Sequence, residues 1–372
     1  MLRRAPRGWL VLAAVAGLAL TACGEGAART EKLPPTPTQS SHTAAVHRRH
    51  SPRPRGCFAH PERCGYPGPA DTGVASCAAL PKSSGTKTIT KSETIENTNI
   101  TGFVTVEASN VTMKHDCVVV NGGEDIGAAV VVLAEGANNF TITKSTISGT
   151  NRSSGSVGEG LRNNYSNPGA TATDVRIENV GTPLHQNWTL EDSYLISNGE
   201  RKLAEQGVEH QEDWWFSNND IVANHDTMLN PSKQTAVIFG ETGNGPCVNH
   251  ETVTNSLLAG GGYLFYICAN NDGTGSSSAI NIKHNRFARL VCAKREVRDV
   301  ERRGGRECSG EPSELISYFH AGKGTGGYYP RGGFFGVIYE GVPIFNRGTG
   351  WEHNYWDDNL EEQPEQSQCP KC

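Results

Sequence analysis

An eight-residue pattern recurs along this chain and constrains its fold more than any other feature. Written from a first apolar site, it reads apolar, polar, apolar, polar, polar, Asn/Ser/Asp, any residue, apolar. It occurs as Val111-Thr-Met-Lys-His-Asp-Cys-Val118, Phe140-Thr-Ile-Thr-Lys-Ser-Thr-Ile147 and Trp188-Thr-Leu-Glu-Asp-Ser-Tyr-Leu195. It returns as Trp214-Trp-Phe-Ser-Asn-Asn-Asp-Ile221, Glu251-Thr-Val-Thr-Asn-Ser-Leu-Leu258, Ile280-Asn-Ile-Lys-His-Asn-Arg-Phe287 and Thr349-Gly-Trp-Glu-His-Asn-Tyr-Trp356. The third positions (Met113, Ile142, Leu190, Phe216, Val253, Ile282, Trp351) and the eighth (Val118, Ile147, Leu195, Ile221, Leu258, Phe287, Trp356) are all apolar. Second and fourth positions are mostly Thr, Lys, Glu, Ser or Asn, the period-two alternation of a strand with one buried face. The sixth column (Asp116, Ser145, Ser193, Asn219, Ser256, Asn285, Asn354) holds residues that tolerate left-handed backbone, so a turn is predicted there.

Successive copies start 29, 48, 26, 37, 29 and 69 residues apart. These spacings fit a coil of about 20 to 30 residues, sometimes doubled or carrying a loop. A sandwich would need hairpins between the strands. Stacked coils need only turns, and they bury one continuous apolar core between parallel strands. Further coil strands are expected at Ile95 to Val106, Val130 to Leu133, Val175 to Val180, Val237 to Phe239 and Tyr263 to Ile267. The triplets Asn110-Val-Thr, Asn139-Phe-Thr and Asn187-Trp-Thr look like glycosylation sequons, but a turn followed by an outward Thr generates them automatically.

The N-terminus carries an export signal. Arg3, Arg4 and Arg7 precede an apolar run from Trp9 to Leu20 that is too short to span a bilayer. It ends in Leu20-Thr21-Ala22-Cys23, which resembles the lipobox of bacterial lipoproteins, so residues 1–22 read as signal peptide and Cys23 as the lipidation site. Residues 23–75 are rich in Pro, Ser and Thr and read as a disordered tether holding the protein at the outer face of the cytoplasmic membrane. The β-helix is expected over 76–358, with a polar, cysteine-containing tail over 359–372. A net charge of −5 without a long basic run in the body argues against a nucleic-acid partner. A monomer is expected.

Setting Cys23 aside from the eleven cysteines leaves an even set in an oxidising compartment, which favours disulfides. Cys247 with Cys268 and Cys292 with Cys308 each flank an insertion and are the preferred pairs. Cys57, Cys64, Cys369 and Cys372 could staple the two ends.

With its repeated strand-turn unit and a closing Trp351-Glu-His-Asn-Tyr-Trp-Asp-Asp segment, the chain resembles the pectate-lyase-like superfamily of right-handed parallel β-helix proteins. Leu229-Asn-Pro, Gln234-Thr-Ala-Val-Ile-Phe-Gly240 and Leu257-Leu-Ala-Gly-Gly-Gly-Tyr263 look closest to uncharacterised secreted actinobacterial members. The resemblance implies that an elongated polysaccharide lies along one face and its loops. It fixes no reaction: the clustered aspartates and arginine base of pectate lyases, and the Asn-Thr-Asp with paired aspartates of polygalacturonases, are missing here.

Local residues add candidates. His185, His210, Gln211 and Glu212 lie just ahead of strands, and Trp215 occupies an outward second position, a plausible sugar platform. Glu159, Arg162 and His225 could join that face. In a lyase, His210 or Arg162 would act as base, with Glu212 and Glu159 holding calcium. In a hydrolase, two carboxyls about 5 to 10 Å apart would be needed, and Glu209, Glu212, Asp213 and Asp226 are candidates. Catalytic roles therefore fall to His210, Glu212, His225 and Arg162, and substrate binding to Trp215, His185, Gln211 and Glu159. A turn residue bonded only to backbone is the alternative for each of them, as for His115, His284 and His353. The loops over 149–186 and 292–350 are Gly-rich and are expected to wall the cleft. A non-catalytic binding or adhesion module is the competing reading.

Overall fold

The computed structural model describes residues 57, 60–120, 128–149, 157–168, 170–199, 212–216, 220–230, 236–240, 251–260, 263–266, 281–288, 351–357, 360 and 362. The first coil holds β1 (Lys82–Ser84), β2 (Lys87–Ile89) and β3 (Thr94–Glu96). The second holds β4 (Asn99–Thr101), β5 (Val104–Val106) and β6 (Thr112–Lys114), and the third β7 (Cys117–Val120), β8 (Ala129–Leu133) and β9 (Thr141–Thr143). The fourth contains β10 (Thr146–Gly149), β11 (Val157–Arg162) and β12 (Thr171–Thr173); the fifth has one long strand, β13 (Arg176–His185), and then β14 (Thr189–Glu191). The sixth comprises β15 (Tyr194–Ser197), β16 (Trp214–Phe216) and β17 (Ile221–Asn224), and the seventh β18 (Thr227–Asn230), β19 (Ala236–Gly240) and β20 (Glu251–Thr254). The eighth has β21 (Leu257–Gly260), β22 (Tyr263–Tyr266) and β23 (Asn281–Lys283). After them come β24 (Arg286–Ala288), β25 (Trp351–Glu352) and β26 (Tyr355–Trp356).

Each strand pairs in parallel with its counterpart in the next coil, giving three faces of a β-helix. The first face runs from β1 to β26 and the second from β2 to β22; β13 turns the corner between them and joins both into one 17-stranded sheet. The third face is a separate nine-stranded sheet from β3 to β25. The expected all-β parallel solenoid is the observed fold. Among the described residues no helix is long and apolar enough to cross a membrane.

Inward positions build one core. Ile100, Val118, Ile147, Ile177, Leu195, Met228, Leu258 and Phe287 line it from the first face, and Met113, Ile142, Ala172, Leu190, Ala223, Val253 and Ile282 from the third. Trp188 and Trp214 fill the corner between the second and third faces, their indole N–H groups donating to the backbone oxygens of His185 and Gln186 at 3.0 and 2.8 Å. A buried indole needs such a partner, and the turn supplies it.

The corner between the third and first faces departs from the sequence reading in one respect. Left-handed backbone falls on the fifth position, not the sixth: Asn97, His115, Lys144, Asp174, Asp192, His225, Asn255, His284 and His353 all have φ between 48° and 61°. All but His353, in the last copy, place their N–H toward the fourth-position carbonyl of the next coil, as His115 does to Thr143 (2.9 Å) and His284 to Glu352 (2.9 Å). The sixth position turns inward and caps backbone instead. Asp116 Oδ1 accepts from Thr98 N–H (2.7 Å), Ser145 Oγ from Asp116 N–H (3.0 Å), Asp226 Oδ1 from Ser193 N–H (2.8 Å) and Asn354 Oδ1 from Asn285 N–H (3.0 Å). All of these side chains are fully buried. The polar choice at this column is therefore dictated by N–H groups that no water can reach.

One copy of the repeat sits elsewhere than expected. Leu190 pairs with Ala223, so Ile221-Val-Ala-Asn-His-Asp-Thr-Met228 is the third-face copy and Trp214–Phe216 lies on the second face. Trp-Trp-Phe alternates as well as Ile-Val-Ala does, and alternation cannot tell one face of a solenoid from another. A further copy, Ala170-Thr-Ala-Thr-Asp-Val-Arg-Ile177, pairs in register with both neighbours. Its alanines and the Val175 at the sixth position hide it from pattern reading. With it, the segment expected to be a loop over 149–186 holds β11, β12 and β13. The expected wall over 292–350 lies outside the described residues.

Residues from Cys57 onward, expected to end a tether, form a strap across the outside of the first face. Cys57 N–H donates to Asp357, whose carboxylate also pairs with Arg286 at 3.2 Å beside the last coil. Gly65 O lies 2.7 Å from His225 Nε2, and Tyr66 stacks on that ring. Arg176 donates to Pro69 O (2.6 Å) and Val74 O (3.0 Å), and Val74 N–H donates to Thr146 Oγ1 (2.9 Å). Gly73, at φ 65°, lies so close that an added Cβ would sit 2.6 Å from Thr146 Oγ1. The strap ends in a disulfide between Cys77 and Cys117; Cys57 bonds Cys64 locally rather than reaching the C-terminal cysteines. The other proposed pairs lie outside the described residues. Under the strap, Tyr194, Ile196, Leu229, Leu257, Ala259 and Ala288 form a second buried cluster with Cys57, against which Cys64 and Tyr66 pack.

Two predictions follow from this packing. Replacing Cys77 and Cys117 by Ser opens a 40-residue loop and costs about 2–4 kcal/mol by chain entropy, read as a lower urea midpoint; an unchanged midpoint would mean the strap is held without it. Glu251 occupies an inward first position with neither carboxylate oxygen hydrogen-bonded, and burial pushes its pKa up to about 8. The unfolded chain ionises near the ordinary carboxylate value, so stability falls as pH rises from about 4.5 to about 8. Glu251→Gln is expected to raise Tm by several degrees at pH 7.5 and by little at pH 4; an equal shift at both would exclude the linkage.

Candidate functional site

The second face carries the richest outward chemistry among the described residues. Register places Val132, Arg162, His185 and Trp215 on successive coils, with Phe239 next in line by backbone pairing. His185 and Trp215 stack with their planes almost parallel, ring centroids 4.6 Å apart and 8° between planes. Parallel strands in register put like positions about 4.8 Å apart, so the ring stack follows directly from the coil repeat.

Glu159 ties this column together. Arg162 donates to both of its oxygens through Nε and Nη2, each at 2.5 Å, a bidentate pair. His185 Nδ1 lies 2.9 Å from Glu159 Oε2, an ion-pair contact too bent to be a full hydrogen bond. Burial pushes the Glu159 carboxyl up, but His185 and Arg162 together outweigh it and hold the group below the ordinary carboxylate range. Gly160 makes the arrangement possible: an added Cβ would meet Ile177 Cγ2 and Pro183 O at 2.6 Å, so β11 can lie this close to β13 only with glycine there. Gln186 Nε2 sits 3.0 Å from His185 Nε2 and fixes the ring from its other side.

Three residues before this column on the same chain segments, Thr182 pairs with Glu159 across the strands and donates to Glu212 Oε2 at 3.3 Å. Glu212 and its neighbour Asp213 are both buried. Asp213 Oδ1 accepts from Ser197 N–H at 2.9 Å. Burial pushes the Asp213 carboxyl well up; the Ser197 hydrogen bonds pull it partly back, and the Glu212 charge adds to the rise. Two carboxylates, Glu159 and Glu212, thus flank Thr182 from either side.

Five of the residues singled out from sequence (Glu159, Arg162, His185, Glu212 and Trp215) therefore share this corner. His225 does not. It sits at a fifth position on the far corner, with Nδ1 2.6 Å from Asp192 Oδ1 and Nε2 on the strap. The misplaced repeat copy explains the error, because His225 follows Trp214 closely in sequence but lies on the third face's edge. Asp226 is a buried rung of the sixth-position ladder, and burial followed by like charges from Asp192 and Glu191 raises its pKa well above the ordinary value despite two backbone donors. His210, Gln211, Glu209 and Cys23 lie outside the described residues. Sequence reasoning missed Thr182, which register alone reveals; Gln186, read from sequence together with His185 just ahead of a strand, takes left-handed backbone (φ 72°) and braces that ring.

Among the described residues, no three His, Cys, Asp or Glu side chains gather as a metal site. Glu159, proposed from sequence as a calcium ligand, has both oxygens engaged by Arg162 and His185, and Glu212 lies beyond Thr182. That pair of residues is not arranged around a common cation. Comparison of the chain with protein-family models, curated proteins and solved structures finds no match.

The ion pair makes a direct prediction. Arg162→Met leaves a mostly buried carboxylate without its main counter-charge and should cost about 1–3 kcal/mol, discounted because Arg162 is one-third exposed. Because the pair lowers the Glu159 pKa, its contribution is present above the ordinary carboxylate value and is lost as pH falls through the depressed one. Wild type and variant should therefore converge in urea midpoint toward pH 2; a constant gap down to that pH would show that Arg162 acts by packing alone.

Proposed function

We propose that this chain is an envelope-anchored glycan-binding β-helix, held at the outer face of the cytoplasmic membrane through Cys23 and reading an extracellular polysaccharide with its second face. The observation that carries this reading is the His185–Trp215 stack held in place by Glu159 and Arg162. A Trp215 ring pre-oriented on the outside of β16 by its stack with His185 offers the apolar face of a sugar ring a partner, and a fixed guanidinium nearby offers a donor to hydroxyls or carboxylates. Spacing by coil repeat suits a polymer, which presents its own repeat along the same axis.

A cleaving activity is the second reading, favoured by the two carboxylates placed either side of Thr182. Inverting glycosidases hold their two carboxyls some distance apart to admit water, and retaining ones hold them closer. Glu159 held in its charged form would then be a base or positioning group, and Glu212 the partner.

A glycan array followed by affinity electrophoresis tests the binding reading. Trp215→Ala is expected to weaken retention about tenfold or more while leaving the circular dichroism spectrum unchanged, since the ring lies on the outside of β16. Retention that survives this substitution, or no retained glycan for the native chain, defeats it. Reducing-end and unsaturated-uronate assays on the retained glycan decide the second reading: product lost in Glu212→Gln supports cleavage, and no product from the native chain leaves a binding module.

A further inference from the structure

The far corner of the solenoid holds a cavity of about 660 Å³ between the strap and the fifth-position residues of the last coils. His284 and His353 line it on adjacent coils, their rings stacked at 5.3 Å between centroids and 27° between planes. We infer that these two imidazoles form a binding site for a divalent transition metal ion.

Four observations carry the inference. His284 and His353 both sit at left-handed fifth positions (φ 59° and 51°), and His284 N–H donates to Glu352 O in the adjoining coil, so their backbones are locked about one strand spacing apart. Both side chains are exposed, and the His284 ring contacts His353 by stacking. His353 Nδ1 is 3.1 Å from Glu362 Oε1. A carboxylate on one nitrogen of a histidine fixes the tautomer and leaves the other nitrogen as an electron-pair donor, the outer-shell arrangement of metal-ligating histidines. A metal ion on His353 Nε2 requires the exposed His284 ring to leave its stack and turn about its side-chain torsions, and the open cavity leaves room for that turn and for water as further ligands.

The surroundings favour a cation. The positive groups nearest the pair are already compensated, Lys283 by Glu352 at 3.5 Å and Arg286 by Asp357 at 3.2 Å. Glu362 adds a negative charge on the far side of His353. His225, which lines the same cavity two coils away, has both nitrogens engaged by Asp192 and Gly65 and is not a ligand. Two imidazoles with water suit copper(II), nickel(II) or zinc(II), and copper(II) binds such nitrogen sites most tightly. This inference is independent of the glycan-binding face.

The full chain without an affinity tag is titrated with copper(II) by calorimetry, and the bound ion is read by electron paramagnetic resonance. Asn occupies the same left-handed column at Asn97 and Asn255, so His284→Asn and His353→Asn remove the ligands without straining the turn. The double variant is expected to lose one equivalent of copper together with its nitrogen hyperfine pattern. Glu362→Gln is expected to weaken binding about 10- to 100-fold while keeping the stoichiometry. Unchanged stoichiometry and spectrum in the double variant would place the metal on other histidines, such as His42, His47 and His50 of the N-terminal segment, and overturn the proposal.

Discussion

Register between coils is the constraint on which every other feature rests. Along the third-to-first corner it is enforced twice, by the N–H of a left-handed fifth residue and by a buried sixth side chain that accepts from the preceding coil. An unmet backbone N–H in that dry interior would cost about 1–3 kcal/mol, so a coil that slips by one residue loses its cap and turns its apolar side chains outward at once. Coil length is free to vary because this corner is not. Ile95 pairs with Met113 and Ala172 with Leu190 after 18 residues, while Ile282 pairs with Trp351 after 69, and all join the same sheet. Insertions are absorbed at the other corners.

The strap solves a separate problem. A solenoid interacts only with its immediate neighbours, so its end coils are held on one side alone. Here a single segment touches the last coil through Asp357, the sixth through His225, the fourth and fifth through Thr146 and Arg176, and the second and third through Asn99 and Cys117. It converts nearest-neighbour stability into coupling across the whole stack. It also hides the apolar outer positions of the first face, including Tyr194, Ile196 and Leu257, which would otherwise form an exposed greasy stripe. Pro, Gly and Cys in this stretch suit a chain that must follow a surface without regular structure, and for the same reason composition alone resembles a linker.

The fold was legible because the solenoid writes the same physical demand into the chain nine times over. Met113, Ile142, Leu190, Val253 and Ile282 do share the inward column read from sequence. What was not legible is the assignment of a strand to one of three faces. Trp214–Phe216 and Ile221–Asn224 satisfy the same alternation, and only the ladder acceptor at Asp226 and the left-handed His225 distinguish the second as the turn-bearing copy. The candidate site was partly legible for a related reason. Outward Trp215 follows from pleat, but the convergence of Glu159, Arg162 and His185 depends on β11 pairing in register beside β13 with Gly160 packed against Ile177 and Pro183, a contact between coils whose separation in sequence no local pattern encodes.

The three faces differ in what they leave for function, and the difference narrows where recognition can occur. The third face presents Thr112, Thr141, Thr171 and Thr189 in a row at the second position, and its fourth position pairs Lys114 with Glu96 and Lys283 with Glu352. Such a surface is self-satisfied: cross-strand neighbours already meet each other's hydrogen-bonding and charge needs. The first face is covered by the strap. On the second face the outward residues are large, dissimilar and held by partners within the protein, which is the preorganisation that lets binding occur without ordering the side chains first. The cavity beside the strap owes its two unburied imidazoles to the left-handed column, where His is tolerated for its backbone habit and its ring is left available. Both candidate surfaces thus arise where the repeat's own requirements have been met by something other than the exposed side chain.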